Sequence, residues 1–318
     1  MRKFSTAALV ATWALCTAPS AALQQNQDLC GSDVQPVDAA GLMAMDLSGL
    51  YQFFGPATGI YKLPRCVRLR FHIVRTDAGE GGLSVPTIIQ MVADANAAFA
   101  GSSIRFVFEG LHYVDSDAFY YHINTLDEIN ALRQTNPAPA SINVYCTENL
   151  AWGAFGLCGI SSFTSSPVQG IVMNNECTPR GGNHSTFPHE LGHYFNLYHT
   201  HETFLGIGCA SESNCSTTGD MVCDTPADPN LSGKVNANCD YVGGGVGPCP
   251  GDPAYAPDTN NLMSYAPKSC RTRFTAGQKC RAYSTLAFLR PELLQTCGQT
   301  GPYLPLSSGG FGAAPFLP

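Results

Sequence analysis

Residues 189–199 read His189-Glu190-Leu191-Gly192-His193-Tyr194-Phe195-Asn196-Leu197-Tyr198-His199, and the spacing of the three histidines decides how the chain must fold around them. His189 and His193 stand four apart, so on a helix both imidazoles share one face, a turn from each other. Glu190, beside the first histidine, can reach a water on a metal held there without taking a coordination position. That division suits metal-assisted hydrolysis: the metal lowers the pKa of the water, and the carboxylate accepts its proton and later delivers one to a leaving amine. The bland alternative is a pair of hydrogen-bonded core histidines. His199 imposes a further condition. Ten residues on along an uninterrupted helix it would lie about 15 Å away along the axis, too far to share an ion with His189. The helix must therefore end near residue 196 and the chain must turn back. Asn196 is the non-glycine residue that best tolerates the left-handed conformation such a turn needs.

Working outward, Cys66 to Val74 alternates apolar and polar residues, a strand signature. Pro86 to Ala100 reads as a helix with an apolar stripe at Ile88, Met91, Val92, Ala95 and Phe99, closed by Gly101. Ile104–Val114 is strand-like and Leu126–Arg133 a short helix, followed by strands at Ser141–Cys146, Gly159–Phe163 and Gly170–Met173. A helix carrying the three-histidine motif should start near Ser185, with Pro188 in its first turn. From His201 to Ala256 the chain is rich in Gly, Pro, Asp, Asn and Cys, with no clear element. A last helix starts at Thr275, with Gln278 completing a capping box, and runs towards Leu289.

The N-terminus reads as an export signal: Met1-Arg2-Lys3 is basic, Phe4–Cys16 is apolar but too short to span a bilayer, and small residues up to Ala22 offer a cleavage site. A lipoprotein anchored at Cys16 is the alternative, and Leu15 before it is too large for one. Expected boundaries are a signal at 1–22, a leader or pro-segment at 23–65, a catalytic domain at 66–298 and a Gly/Pro/Ser-rich tail at 299–318. Fourteen cysteines agree with an oxidising, extracellular setting, and loss of Cys16 leaves an odd number, so one lacks an intramolecular partner. Net charge is −7 with the charges scattered. That pattern excludes a nucleic-acid or anionic-membrane surface, and no later segment can cross a membrane. A soluble monomer is expected.

The stretch from His189 to His199 resembles the long zinc signature of the metzincin peptidases. Thr200, Gly219-Asp220-Met221-Val222-Cys223-Asp224-Thr225-Pro226 and Asn261-Leu262-Met263-Ser264-Tyr265 look like the pappalysin-type branch of that clan, peptidase family M43, of the cytophagalysin/ulilysin kind. Cys270 to Gln278 continues the likeness, and Leu157–Phe163 fits the strand that lines the cleft in this clan. The resemblance covers roughly residues 66 to 290, and Asn196 replaces the clan's usual glycine. It implies an α+β, metzincin-like catalytic domain: a mixed twisted sheet with backing helices above the cleft, and an irregular, disulfide-stapled lower subdomain. It implies a secreted Zn2+ endopeptidase acting on proteins or peptides, with His189, His193 and His199 as ligands and Met263 as the base beneath the metal. Related enzymes use Ca2+ near Asp220 and Asp224; Asx-turn bonding is the other reading of those two.

Around these lie residues with two readings each. Tyr265 could donate to the tetrahedral intermediate or simply pack. Glu212 is the third ligand a different zinc-peptidase clan would use, but Cys209–Cys215 around it does not read as a helix. His184 and His201 read as surface residues. Cys30, in Asp28-Leu29-Cys30-Gly31-Ser32, resembles the segment with which related proenzymes cap their zinc; a disulfide, for instance to Cys66, is the alternative. Cys270 is expected to bridge to Cys239 or Cys249. Lys268, Arg271 and Arg273, with no Asp or Glu between Ser264 and Arg290, imply a pocket for an apolar or acidic residue after the scissile bond. The rival functions are a non-catalytic secreted binder on the same fold and a zinc amidohydrolase of small substrates.

Overall fold

The computed structural model describes residues 64–297 and the dipeptide Gly31–Ser32. Cys30, the expected signal peptide, most of the leader and the 299–318 tail lie outside the described residues. Gly31–Ser32 is β1, and the alternating stretch at 66–74 becomes β2 (Arg65–Arg75). Then follow α1 (Val85–Ala98), β3 (Ile104–Asp115), α2 (Asp117–Tyr121), α3 (Leu126–Arg133) and β4 (Ile142–Thr147). A two-strand hairpin, β5 (Ala151–Trp152) and β6 (Phe155–Gly156), precedes β7 (Gly159–Ser161) and β8 (Ile171–Asn174). The motif helix is α4 (Thr186–Tyr194), the last helix is α5 (Ala276–Phe288), and β9 (Gln295–Thr296) ends the described chain. The sequence misses α2 and the hairpin, because five- and two-residue elements are too short to show a period.

The main sheet runs β1-β7-β8-β4-β2-β3, with β9 added beside β2. Its pairs are parallel except β7 against β8 and β9 against β2. This is the mixed sheet of the expected α+β architecture. Strand alternation sorts the core: Leu69, Phe71 and Ile73 face a large cluster with Ile88 and Met91 of α1, Phe187 and Leu191 of α4, Met263 and Phe274. Val74, with Tyr145 and Val172, faces the opposite side, where Tyr120 of α2 and Ile129 and Leu132 of α3 complete a second cluster. Helices thus cover both faces, and the two long ones on the first face back the cleft.

From Thr200 to Phe274 the described chain forms no helix or named strand, only isolated bridges such as Val235 with Tyr241 and Asn261 with Arg273. Cys209–Cys249, Cys215–Cys223 and Cys239–Cys270 staple it, around a small cluster of Leu231, Val235, Ala266 and Cys270. Cys270 therefore pairs with Cys239, one of its two expected partners. Cys66 bonds to Cys297 rather than to Cys30, because β9 runs antiparallel to β2 and brings the two Cα atoms to 5.1 Å. Cys158–Cys177 ties the start of β7 to the chain after β8. Cys146 and Cys280 are buried thiols.

Candidate active site

The motif helix starts one residue after Ser185, but the cap is Asn183, whose Oδ1 accepts the backbone N–H groups of Ser185 and Thr186 at 3.0 and 3.2 Å. All nine residues of α4 are buried. The helix ends where the geometry of His199 requires. Asn196 adopts φ +60°, and the N–H of Leu197 donates to the Gly192 carbonyl at 2.9 Å, the return bond of a left-handed helix stop. The Asn196 side chain is tied down as well: Oδ1 accepts the Thr164 N–H at 3.1 Å, and Nδ2 donates to the Thr164 hydroxyl at 2.8 Å.

This turn brings the three histidines together. His193 Nε2 lies 3.1 Å from both His189 Nε2 and His199 Nε2. His189 Nδ1–H donates to the Leu262 carbonyl at 2.5 Å and His193 Nδ1–H to the Leu197 carbonyl at 2.8 Å, so the converging Nε2 atoms of those two present lone pairs. Burial pushes all three imidazoles towards the neutral form, His193 down to about 4 and the other two well below the ordinary histidine value. Three neutral nitrogen donors meeting at one point fit a divalent metal of zinc type, and three protein ligands leave a position open for chemistry.

Glu190 is fully buried and lies against the edge-proximal strand β7. A Cβ added at Gly159 would come within 2.7 Å of Glu190 Oε1, so only glycine lets the strand approach this closely. Met263 packs beneath: its sulfur would sit 2.5 Å from a Cβ at Gly192, the residue between the two helical histidines. The loop holding it is braced from α5. Thr275 and Gln278 form the expected capping box, and Gln278 also exchanges side-chain hydrogen bonds with Asn261 at 3.0 and 3.1 Å. Asn261 Oδ1 accepts the Met263 N–H at 2.8 Å. Tyr265, half-buried, places its ring centroid 4.7 Å from that of His199. Lys268 Nζ lies 2.9 Å from Cys158 Sγ, next to Gly159, and Arg271 is buried with Nη1 donating to the Ser264 carbonyl at 3.4 Å.

The remaining expectations divide. His184 is exposed and meets Asp94 at 2.8 Å, as a surface residue should. His201 is not on the surface: a turn folds it inward, leaving its side chain 12 % exposed with its ring 5.0 Å from that of His199. Nothing periodic in the sequence signals this. Glu212 lies away from the histidines, in a turn at φ +57°, accepting the Ala227 N–H at 2.7 Å. Asp224 caps α5, accepting the Thr275 hydroxyl at 2.7 Å and the Gly277 N–H at 2.8 Å. Asp220 accepts the Val222 N–H at 3.0 Å and the Thr225 hydroxyl at 2.8 Å, and burial pushes it up to about 7. Asp220 does line a cavity with Glu212 and Asp228. Sequence reasoning passed over Asp228, whose Oδ1 is buried and has no hydrogen-bond partner among the described residues.

Comparison with known proteins places the chain in a family of peptidases. The family model described as pregnancy-associated plasma protein-A, peptidase M43, matches residues 136–287. An extracellular metalloprotease of Pyricularia oryzae is 32 % identical over 230 residues, which are 69 % of this chain and 74 % of that protein. One from Neurospora crassa is 30 % identical over 69 % of this chain and 73 % of its own length. Metalloproteinase-II from Bacteroides fragilis aligns with a TM-score of 0.32 at 12 % identity, over 43 % of this chain and 44 % of that one.

Proposed function

This chain belongs to peptidase family M43 and is a metalloendopeptidase, and on that premise we propose that it works outside the cell with zinc as its metal and Glu190 as its general base. The observation that carries the reading is the meeting of three neutral imidazoles at one point, with the Glu190 carboxylate buried beside β7. When bound at His189, His193 and His199, zinc supplies Lewis acidity, polarising the scissile carbonyl and easing deprotonation of water. The chain's own residues do the rest. Glu190 accepts the proton of the attacking water and passes one to the departing amine. Gly159 lets the peptide-pairing strand come close to that carboxylate, so a substrate lying along the strand has its scissile bond within reach. Tyr265 donates a hydrogen bond from its phenol to the oxygen that gains charge in the tetrahedral intermediate. Met263 and its brace keep the imidazoles from moving.

Digestion of casein, blocked by 1,10-phenanthroline and restored by zinc, tests the activity. Glu190→Ala should lose it by about a thousandfold or more while keeping one zinc per chain. Undiminished digestion by Glu190→Ala sinks the assignment, and digestion indifferent to chelation sinks the metal. Tyr265→Phe should lower turnover and spare the metal. For specificity, Lys268 and Arg271 favour apolar or acidic residues after the scissile bond; a peptide library cut mainly before Arg or Lys overturns that.

Two further parts of the reading concern control. Pairing of β1 with β7 lays the leader's Gly31 beside Ile160, one residue past the glycine that touches Glu190. With Cys66 already bonded to Cys297, this supports Cys30 as a latency thiol, so the uncut chain is inactive until thiol reagents or cleavage near residues 50–65 release it. A fully active uncut chain removes the idea. Calcium at Asp220 and Asp224 competes with turn and cap bonding, because Asp224 caps α5 and Asp220 accepts the Val222 N–H and the Thr225 hydroxyl. It should raise Tm, and an absent shift excludes it.

A further inference from the structure

His201 sits where the ligand segment meets the Met263 loop. The Glu202 N–H donates to the His199 carbonyl at 3.0 Å, closing a turn that folds residue 201 back over residue 199. On an extended chain these two side chains would share a face but stand about 7 Å apart. Here their rings stack, centroids 5.0 Å apart and planes 13° apart. Tyr265 completes the group, its centroid 4.3 Å from that of His201 and 4.7 Å from that of His199. Each ring touches the other two. The Thr200 N–H joins the same seam by donating to the Met263 carbonyl at 3.1 Å.

Behind His201 stands Asp228. Its Oδ2 accepts the Thr200 hydroxyl at 2.6 Å and lies 4.0 Å from His201 Nδ1. His201, Glu202, Glu212 and Asp228 line the cavity on that side. His201 is therefore the partition between the cavity and the two groups that face the reacting atoms. Removing its ring would leave His199 and Tyr265 open to the cavity and free to tilt towards it.

We propose that His201 is a positioning residue of this active site: its ring, backed by Asp228, holds the third histidine and the Tyr265 phenol in the arrangement that the reaction needs. The proposal rests on the reading of His189, His193 and His199 as metal ligands. Its test uses the purified, activated enzyme carrying His201→Ala, His201→Phe, Tyr265→Phe or His201→Ala with Tyr265→Phe, in zinc and cobalt(II) forms. His201→Ala should lower kcat about ten- to hundredfold with KM little changed, loosen the metal against a competing chelator by a similar factor, and alter the cobalt visible spectrum. His201→Phe, which keeps a ring, should recover most of all three. On the Tyr265→Phe background, His201→Ala should cost much less kcat, because the group it positions is already disabled. If His201→Ala does not fold, His201→Leu, of similar bulk but without a ring, takes its place. An unchanged cobalt spectrum with full kcat overturns the proposal. So does a loss of thermal stability alone, a Phe variant no better than Ala, or an equal kcat loss on both backgrounds. A wild-type protein that retains no metal overturns the ligand reading itself, and this proposal with it.

Discussion

The chain before Asn196 and the chain after it reach rigidity by different means. Before it, β2 is hydrogen-bonded on both sides, and its apolar face packs into one large cluster with α1 and α4. Beyond it, from Thr200 to Phe274, order comes from three disulfides and from side chains bonded to backbone. Asp252 alone accepts the N–H groups of Ala210, Ser211 and Cys249. The candidate active site lies on the seam: His189 and His193 stand in the first region, while His199, Met263 and Tyr265 stand in the second. The difference teaches that a metal site can draw two ligands from a packed framework and its third ligand and floor from a stapled one. Each framework should fail under different conditions.

The largest test removes a staple. Cys239–Cys270 closes a loop of sequence separation 31, and its loss through Cys239→Ala with Cys270→Ala should cost about 4 kcal/mol in chain entropy. Hydrogen exchange should show the 200–274 region opening while β2 and β4 stay protected, with metal affinity falling as His199 and Met263 slacken. If protection is lost evenly across the chain, the two regions are one cooperative unit and the contrast drawn here is broken.

Acidity should separate the regions next. His72, buried on β2 with Nε2 2.9 Å from Asn143 Oδ1, is pushed down to about 4 by burial, with His112 and Arg70 nearby adding to the effect. The unfolded chain binds this proton below about 6.5, while the folded chain does so only near 4. The stability it contributes is thus complete above 6.5 and lost as pH falls from there towards 4, a loss on the order of 3 kcal/mol. Asp220 has the opposite sign. Burial raises it to about 7, so its folded form holds a proton that the unfolded chain releases near 3.8, and stability falls as pH rises through that window. Denaturation measured between about pH 4 and 7 should therefore show less loss of stability on acidification in His72→Gln and more in Asp220→Asn. An unchanged acid limb in His72→Gln would show that the sheet region is not where acid acts.

The same division decides what could be read from the sequence. Alternation in β2 and the stripe Ile88-Met91-Val92-Ala95 in the first region, and the capping residues Thr275 and Gln278 beyond the second, place elements within one or two residues of where they stand. Those signals work because burial on one face leaves a period. The three histidines and Asn196 were legible for a related reason, since helix geometry fixes what four and ten residues of separation mean. His201 and Asp228 were not. Their places depend on a turn and on loops held by disulfides, where neighbours in space have no fixed separation in sequence. Asp224 illustrates the limit: its setting suggested a cation, and its partners are the hydroxyl and N–H groups at the start of a helix more than fifty residues away.

The smallest expected effect lies at the seam itself and bears on how the regions are joined. Asn196→Gly should relieve the cost of a left-handed residue, about 1 kcal/mol, and on turn chemistry alone it should stabilise. The Asn196 side chain, however, is 1 % exposed and holds the N–H and hydroxyl of Thr164, in the loop that follows β7. Leaving those groups without it costs about 1–3 kcal/mol, which exceeds the relief. The glycine variant should therefore lose about 1 kcal/mol net, and Asn196→Ala, which keeps the strain and loses the bonds, about 2–3 kcal/mol. Denaturant midpoints in the order Asn, Gly, Ala would show that the asparagine both turns the chain towards His199 and fastens that turn to the cleft strand. A glycine variant as stable as the native chain would mean that the turn needs only the backbone conformation, and that Thr164 contributes nothing to joining the two regions.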